Sequence, residues 1–318
     1  MLSCTRMSVP AHSRSRVPLP RILLVTCIAV SALLSVHGQQ TSSASSLSRE
    51  AGASLPTLWI TARNRDGSAA QLSATELEIK IDGKAAQVSN LGRVSPALRY
   101  CLLVDNSGST RPNLHAQHDE AVGLLSKIPQ AGRDYGLVVD FNDEAYIDAR
   151  GTDPQKLIKG IQQAARGGTA MYDAMVACTD ELSKGGSDTV LRLMFVLSDG
   201  EDNASHMSRE ATERTLSSAR VRVYSIGEEG SANGNATHGV GNLKHLAEMT
   251  GGRDYLPRKE WTLDKILADI SSDLAGLYAV TLNPDRPLAS DRLHKLEVKS
   301  SRKDVAITAP RQYFVPSQ

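Results

Sequence analysis

At 318 residues, 41% hydrophobic and 22% charged, with a formal net charge of +1, the chain has the composition of an ordinary globular protein with one large core or two smaller ones. Its basic excess sits in residues 1–38, which hold four arginines and no acid, so the remainder is mildly acidic. No basic stripe is present, which argues against a nucleic-acid partner.

In chain order, Arg6, Arg14, Arg16 and Arg21 precede the apolar run Ile22 to Val36, which ends at Val36-His37-Gly38. A charged start, a short apolar centre and small residues near its end predict a secretory signal over 1–38. The run is short for a membrane span of about 20 residues; an uncleaved signal is the one route to a membrane. Leu24-Val25-Thr26-Cys27 is a poor lipidation box, because Thr precedes the cysteine and the apolar run continues past it. Residues 39–54, rich in Ser, Gln and Ala, are too polar to pack and read as a flexible linker.

Residues 55–96 alternate apolar and polar positions, as in Trp59-Ile60-Thr61-Ala62 and Leu77-Glu78-Ile79-Lys80-Ile81. Asp66-Gly67 and Asp82-Gly83 supply turns that tolerate positive φ. Residues 97–277 then alternate apolar strands with helical patterns. The strands fall at Arg99–Val104, Tyr135–Phe141, Leu191–Leu197 and Val221–Ile226. The helices fall at Leu114–Ile128, Pro154–Ala164, Tyr172–Ser183, Arg209–Ala219, Leu243–Thr250 and Leu263–Leu277. This predicts an α/β fold with a doubly wound, mostly parallel sheet covered on both faces. Residues 278–318 return to β alternation. Neither 55–96 nor 278–318 buries a sheet face alone, so the two are expected to form one small all-β sandwich.

Cys4 and Cys27 fall in the leader. Cys101 lies in an apolar strand and Cys178 in a helical pattern, and both read as small buried side chains; whether they form a disulfide is not decided by sequence.

The stretch Leu102-Leu103-Val104-Asp105-Asn106-Ser107-Gly108-Ser109 concentrates the chemistry. An apolar strand ends in a carboxylate and two hydroxyls at alternate positions, oxygen donors suited to a hard divalent cation such as Mg²⁺. Strand ends are also where ligands bind in open α/β sheets. Downstream come Gly167-Gly168-Thr169 ahead of a helix, and Ser198-Asp199-Gly200 at the end of a strand. In this order the three stretches resemble the metal-ion-dependent adhesion site of von Willebrand factor A domains, a likeness that covers about residues 97–277. The resemblance implies a Rossmann-like fold and a metal set of Asp105, Ser107, Ser109, Thr169 and Asp199. It also implies Mg²⁺, with Mn²⁺ or Ca²⁺ as alternatives, and an open coordination position filled by an Asp or Glu of a protein partner. The bland alternative is that these residues serve as turn-formers and helix caps.

The flanks are similar to a bacterial secreted subgroup known chiefly from acidobacteria. The likeness rests on Asp66-Gly67, Leu72 to Leu77 and Asp82-Gly83 ahead of the site. Behind it lie Leu277-Tyr278-Ala279-Val280, His294 to Val298 and Gln312 to Pro316. Leu77 stands where that pattern has an aromatic, and Arg311-Gln312 where it has a glycine.

Asp143, Glu201, Asp202 and His206 read as solvated loop charge near the site. His115, His118 and Asp119 lack a third ligand at fixed spacing and read as an exposed helix face. No zinc-protease, P-loop or nucleophile-elbow motif occurs. The expected protein is therefore exported, periplasmic or secreted, and not an enzyme: a module that binds a partner carboxylate through a metal. Two other readings are an assembly protein with a vestigial metal site and a metal-assisted hydrolase.

Overall fold

The computed structural model describes residues 15–16, 55–185, 187, 189–227, 236–257, 261–285 and 287–317. The signal and linker expected over 1–38 and 39–54 lie outside the described residues, apart from a two-residue strand, β1 (Ser15–Arg16).

From residue 55 the first three strands are β2 (Leu58–Asn64), β3 (Leu77–Ile81) and β4 (Lys84–Arg93). Asp82 and Gly83 join β3 to β4 with φ of 49° and 77°, the positive values that an Asp-Gly hairpin turn needs. Next come β5 (Leu98–Asp105), helix α1 (Leu114–Lys127), β6 (Tyr135–Phe141), β7 (Ala145–Gly151) and α2 (Pro154–Ile158). They are followed by α3 (Met171–Ser183), β8 (Leu191–Ser198), α4 (Arg209–Ser218) and β9 (Val221–Gly227). The α/β part ends with α5 (Ala236–Met249), β10 (Arg253–Tyr255) and α6 (Leu263–Ala275). Four strands close the chain: β11 (Leu277–Pro284), β12 (Arg292–Ser300), β13 (Val305–Thr308) and β14 (Gln312–Val315).

Among the described residues these strands form two seven-stranded sheets. The first runs β1-β7-β6-β5-β8-β9-β10, with β6, β5, β8, β9 and β10 parallel and β7 and β1 antiparallel at one edge. Its central strands are apolar almost throughout because both faces are covered. On one face Tyr100, Leu102 and Val104 of β5 meet Leu124 of α1 and Ile266 and Ile270 of α6. On the other, Cys101 and Leu103 meet Met175 and Cys178 of α3 and Leu246 of α5. Cys101 and Cys178 are joined as a disulfide, Cα–Cα 6.3 Å, so the pair left open by sequence is bonded.

The second sheet, β13-β2-β11-β4-β3-β12-β14, is antiparallel throughout and is built from both ends of the chain. Its inner face packs Ile60, Ile79, Ile81, Tyr278, Val280, Leu296 and Tyr313 together. A buried ionic cluster fastens it to the α/β layer. Arg63 of β2 bonds Asp269 of α6 at 2.6 Å, and Arg222 of β9 donates to Thr61 Oγ1 and the Trp59 carbonyl. Asp273 of α6, fully buried, accepts from Tyr224 (2.6 Å) and Arg253 (3.1 Å).

Three elements differ from the sequence expectation. Helix α2 stops at Ile158 rather than Ala164, because the Gly160 amide turns back onto the Leu157 carbonyl at 2.9 Å. Helix α5 starts at Ala236, not Leu243; Gly239 and Gly241 blank out its first turns as a periodic signal. Gly239 is needed there, since a Cβ would stand 2.3 Å from the Asp199 carbonyl. Strand β10 was not anticipated: three residues are too few to show a period.

Candidate metal centre

The chain leaves β5 for β6 on one side and later returns to place β8 on the other. This strand-order reversal opens a crevice at the carboxyl ends of β5 and β8, where α/β sheets bind ligands. Asp105 is the last residue of β5, and Asp199 follows the last residue of β8.

Asp105 has no exposed surface. One carboxylate oxygen accepts the Ser107 amide (2.9 Å) and the other the Ser198 hydroxyl (2.6 Å). Ser107 and Ser109 hydroxyls lie 3.1 Å apart, and Thr110 folds the loop back by donating to the carbonyls of Asp105 and Ser107. Ser107 is buried with Asp105, whereas Ser109 reaches the surface.

Thr169 arrives on a segment without regular secondary structure, and hydrogen bonds fix its path. The Arg166 amide donates to the Asn106 carbonyl (3.0 Å) and the Gly108 amide to the Gly167 carbonyl (3.2 Å), stitching this segment to the Asp105 loop. Gly167 has φ +79°, a conformation that side chains other than glycine's rarely adopt. On the far side the Thr169 amide donates to Asn203 Oδ1 at 2.8 Å, and the amides of Asn203 and Ala204 donate to the Thr169 carbonyl. Asp199 in turn accepts the Glu201 amide (3.0 Å). The loops carrying Asp105, Thr169 and Asp199 are thus mutually hydrogen-bonded, and Thr169 and Asp199 are both buried.

Burial pushes the Asp105 carboxyl up to about 6, against the hydrogen bonds from Ser107 and Ser198, and the charge of Asp199 adds to the rise. Among the described residues no Lys, Arg or His forms an ion pair with Asp105 or Asp199. Nor do three His, Cys, Asp or Glu side chains converge among them, so a cation held here takes hydroxyl as well as carboxylate oxygen. Such an all-oxygen donor set fits Mg²⁺, Mn²⁺ or Ca²⁺ rather than a softer metal.

Several neighbours carry roles the sequence did not reveal. Ser198 orients Asp105, a contact between residues 93 positions apart. Asp143, although exposed, accepts the Gly168 amide (2.8 Å). Asp202 accepts the Tyr172 amide at the start of α3, acting as an acceptor for the helix end rather than free rim charge. The His206 ring is exposed as expected but lies 3.0 Å from Asp173. His115 and Asp119 sit on the outer surface of α1.

The chain is similar to known proteins in sequence and in solved structure. The family described as von Willebrand factor type A domain matches residues 101–266. A curated relative, the mouse (Mus musculus) calcium-activated chloride channel regulator 3A-1, is 27% identical over 168 residues, covering 50% of this chain and 17% of that protein. The chain therefore spans under a fifth of that relative's length. Similar solved structures include a von Willebrand factor type A protein from Catenulispora acidiphila, 11% identical with TM-score 0.45, covering 84% of this chain and 76% of that one. A manganese-loaded Plasmodium vivax TRAP protein is 15% identical with TM-score 0.43, covering 72% and 98%. With the family's match running from the middle of β5 into α6, over half of its length, the chain belongs to the von Willebrand factor type A domain family.

Proposed function

We propose that this protein is an exported binding module in which Asp105, Ser107, Ser109, Thr169 and Asp199 hold a divalent cation that a partner's Asp or Glu carboxylate completes. Domains of this family mediate protein–protein and adhesion contacts, often through a metal. The observation that carries the reading is Asp105: a fully buried carboxylate, raised by burial, near a second carboxylate and with no cationic side chain among the described residues paired to it. A divalent ion supplies the missing positive charge and an electrophilic position for an incoming carboxylate. The residues do the rest. Ser198 and the Ser107 amide orient Asp105, and the hydroxyls add donors without cancelling the ion's charge. Two carboxylates formally balance a dication, and three neutral hydroxyls are weak donors, so an open coordination position would stay electrophilic towards a partner carboxylate. The Cys101–Cys178 bond supports export, because disulfides persist in oxidising compartments. No helix among the described residues is long and apolar enough to cross a membrane.

Calorimetric titration with Mg²⁺, Mn²⁺ and Ca²⁺ tests the site. The wild type is expected to bind about one ion per chain at this single cluster. Asp105→Ala and Thr169→Ala are expected to lose that binding and keep the wild-type far-UV spectrum. Undiminished binding by Asp105→Ala would overturn the reading.

A further inference from the structure

We infer that Asn203 is a positioning residue for the Thr169 hydroxyl, acting through the Thr169 backbone; this rests on the metal-site reading above. Of the five ligand candidates, Asp105 ends a strand, Asp199 follows one, and Ser107 and Ser109 sit at the N-cap and in the first turn of the short 3-10 helix after β5 (Gly108–Asn113). Thr169 lies instead on the longer non-regular stretch 161–170, which no strand end anchors directly. Both of its backbone polar groups are committed to the Asn203–Ala204 pair: its amide to Asn203 Oδ1 at 2.8 Å, its carbonyl to the amides of Asn203 (3.0 Å) and Ala204 (3.1 Å). Residue 203 therefore grips the threonine peptide from both sides, once with its side chain and once with its own amide. It belongs to the loop that starts at Asp199, so it couples two candidate ligands from different parts of the chain.

The opposite side of the segment is held by the β6–β7 turn. The Gly168 amide donates to Asp143 Oδ1 (2.8 Å) and the Ala170 amide to the Asn142 carbonyl (2.7 Å). Gly168 makes room for both braces, since a Cβ there would lie 2.9 Å from Asn203 Oδ1 and 2.9 Å from Asp143 Oδ1. Asn203 itself is exposed and covers no core. Its side chain is consequently dispensable for burial and specific to the placement of Thr169. Groups that orient metal ligands typically change affinity by about 10–100-fold when removed.

The test is divalent-ion titration of the full chain carrying Asn203→Leu, which removes the acceptor at similar size, and Asn203→Asp, which keeps an acceptor oxygen. Asn203→Leu is expected to weaken binding about tenfold or more, with Asn203→Asp close to wild type. Gly168→Ala is expected to weaken binding similarly by pushing on both braces. Asn203→Ala replaces the leucine variant if the latter does not fold. Wild-type affinity in Asn203→Leu overturns the inference while leaving the metal site standing. An Asn203→Asp variant as weak as Asn203→Leu overturns the acceptor role. A wild type that takes up no ion removes both readings together.

Discussion

Asp105 places a carboxylate where water does not reach, and the consequence is a pH dependence of stability in the presence of a chelator. Its folded value of about 6 stands above the 3.8 of an ordinary aspartate. Between those values the folded chain keeps a proton that the unfolded chain has released, so stability from this group falls as pH rises through the window and stays low above it. The loss amounts to about 2–3 kcal/mol. Asp105→Asn keeps the shape and removes the charge. It is expected to match the wild type near pH 4 and to exceed it at pH 7, both in EDTA, by urea denaturation. Equal stabilities at pH 7 would show that the carboxylate is not strained. The hydroxyl ligands carry no such signature, since serine and threonine do not titrate in this range.

Strand β5 and helix α3 form the disulfide-linked pair behind the site. Asp105 lies four residues beyond Cys101, and Thr169 lies just ahead of the helix that holds Cys178. Their disulfide closes a 77-residue separation, for which loop entropy gives an upper figure of about 4–5 kcal/mol and measured cases typically about 2–4 kcal/mol. The double variant Cys101→Ala/Cys178→Ala is expected to lose stability in that range, and dithiothreitol to lower the wild type towards it. No effect of reductant would mean that the sulfurs do not bond in solution. Spacing in the sequence had shown both cysteines as buried, but bonding depends on whether α3 crosses β5 at that height, which no local pattern encodes. Helix α5 teaches a similar lesson: Gly239, one of the two glycines that obscure it, is what lets its backbone approach Asp199.

At the scale of the molecule, the cluster around Asp273 joins the two sheets. Arg63, Arg222 and Arg253 all approach this buried carboxylate, and Tyr224 donates to it. Asp273→Ala would leave buried guanidinium charge with less compensation and is expected to cost about 3–5 kcal/mol. Trp59 sits in β2 beside Arg222, and the second tryptophan, Trp261, packs on Tyr255 of the first layer, so in a Trp261→Phe variant fluorescence reports on the second sheet, while far-UV circular dichroism is dominated by the helices of the first layer. Coincident urea transitions by the two probes are expected for this single-tryptophan protein, because the sheets share this cluster. Separate transitions would show that the layers unfold independently.

The sequence by itself determined the alternation of strands and helices, the antiparallel strands at both ends and the candidate donors Asp105, Ser107, Ser109, Thr169 and Asp199. Each of these is written in local periodicity or in a short motif, where neighbouring residues impose the conformation. Tertiary structure decided how the donors are held. Ser198 reaches Asp105 across 93 positions, Asn203 reaches Thr169 across 34, and Asp143 reaches Gly168 across 25. These are ordinary loop residues by type, and their roles exist only once parallel strands have brought four separate segments to one end of the sheet. The same holds for Asp273: a lone acid on an amphipathic helix becomes a buried hub because a second sheet, drawn from both ends of the chain, closes over it.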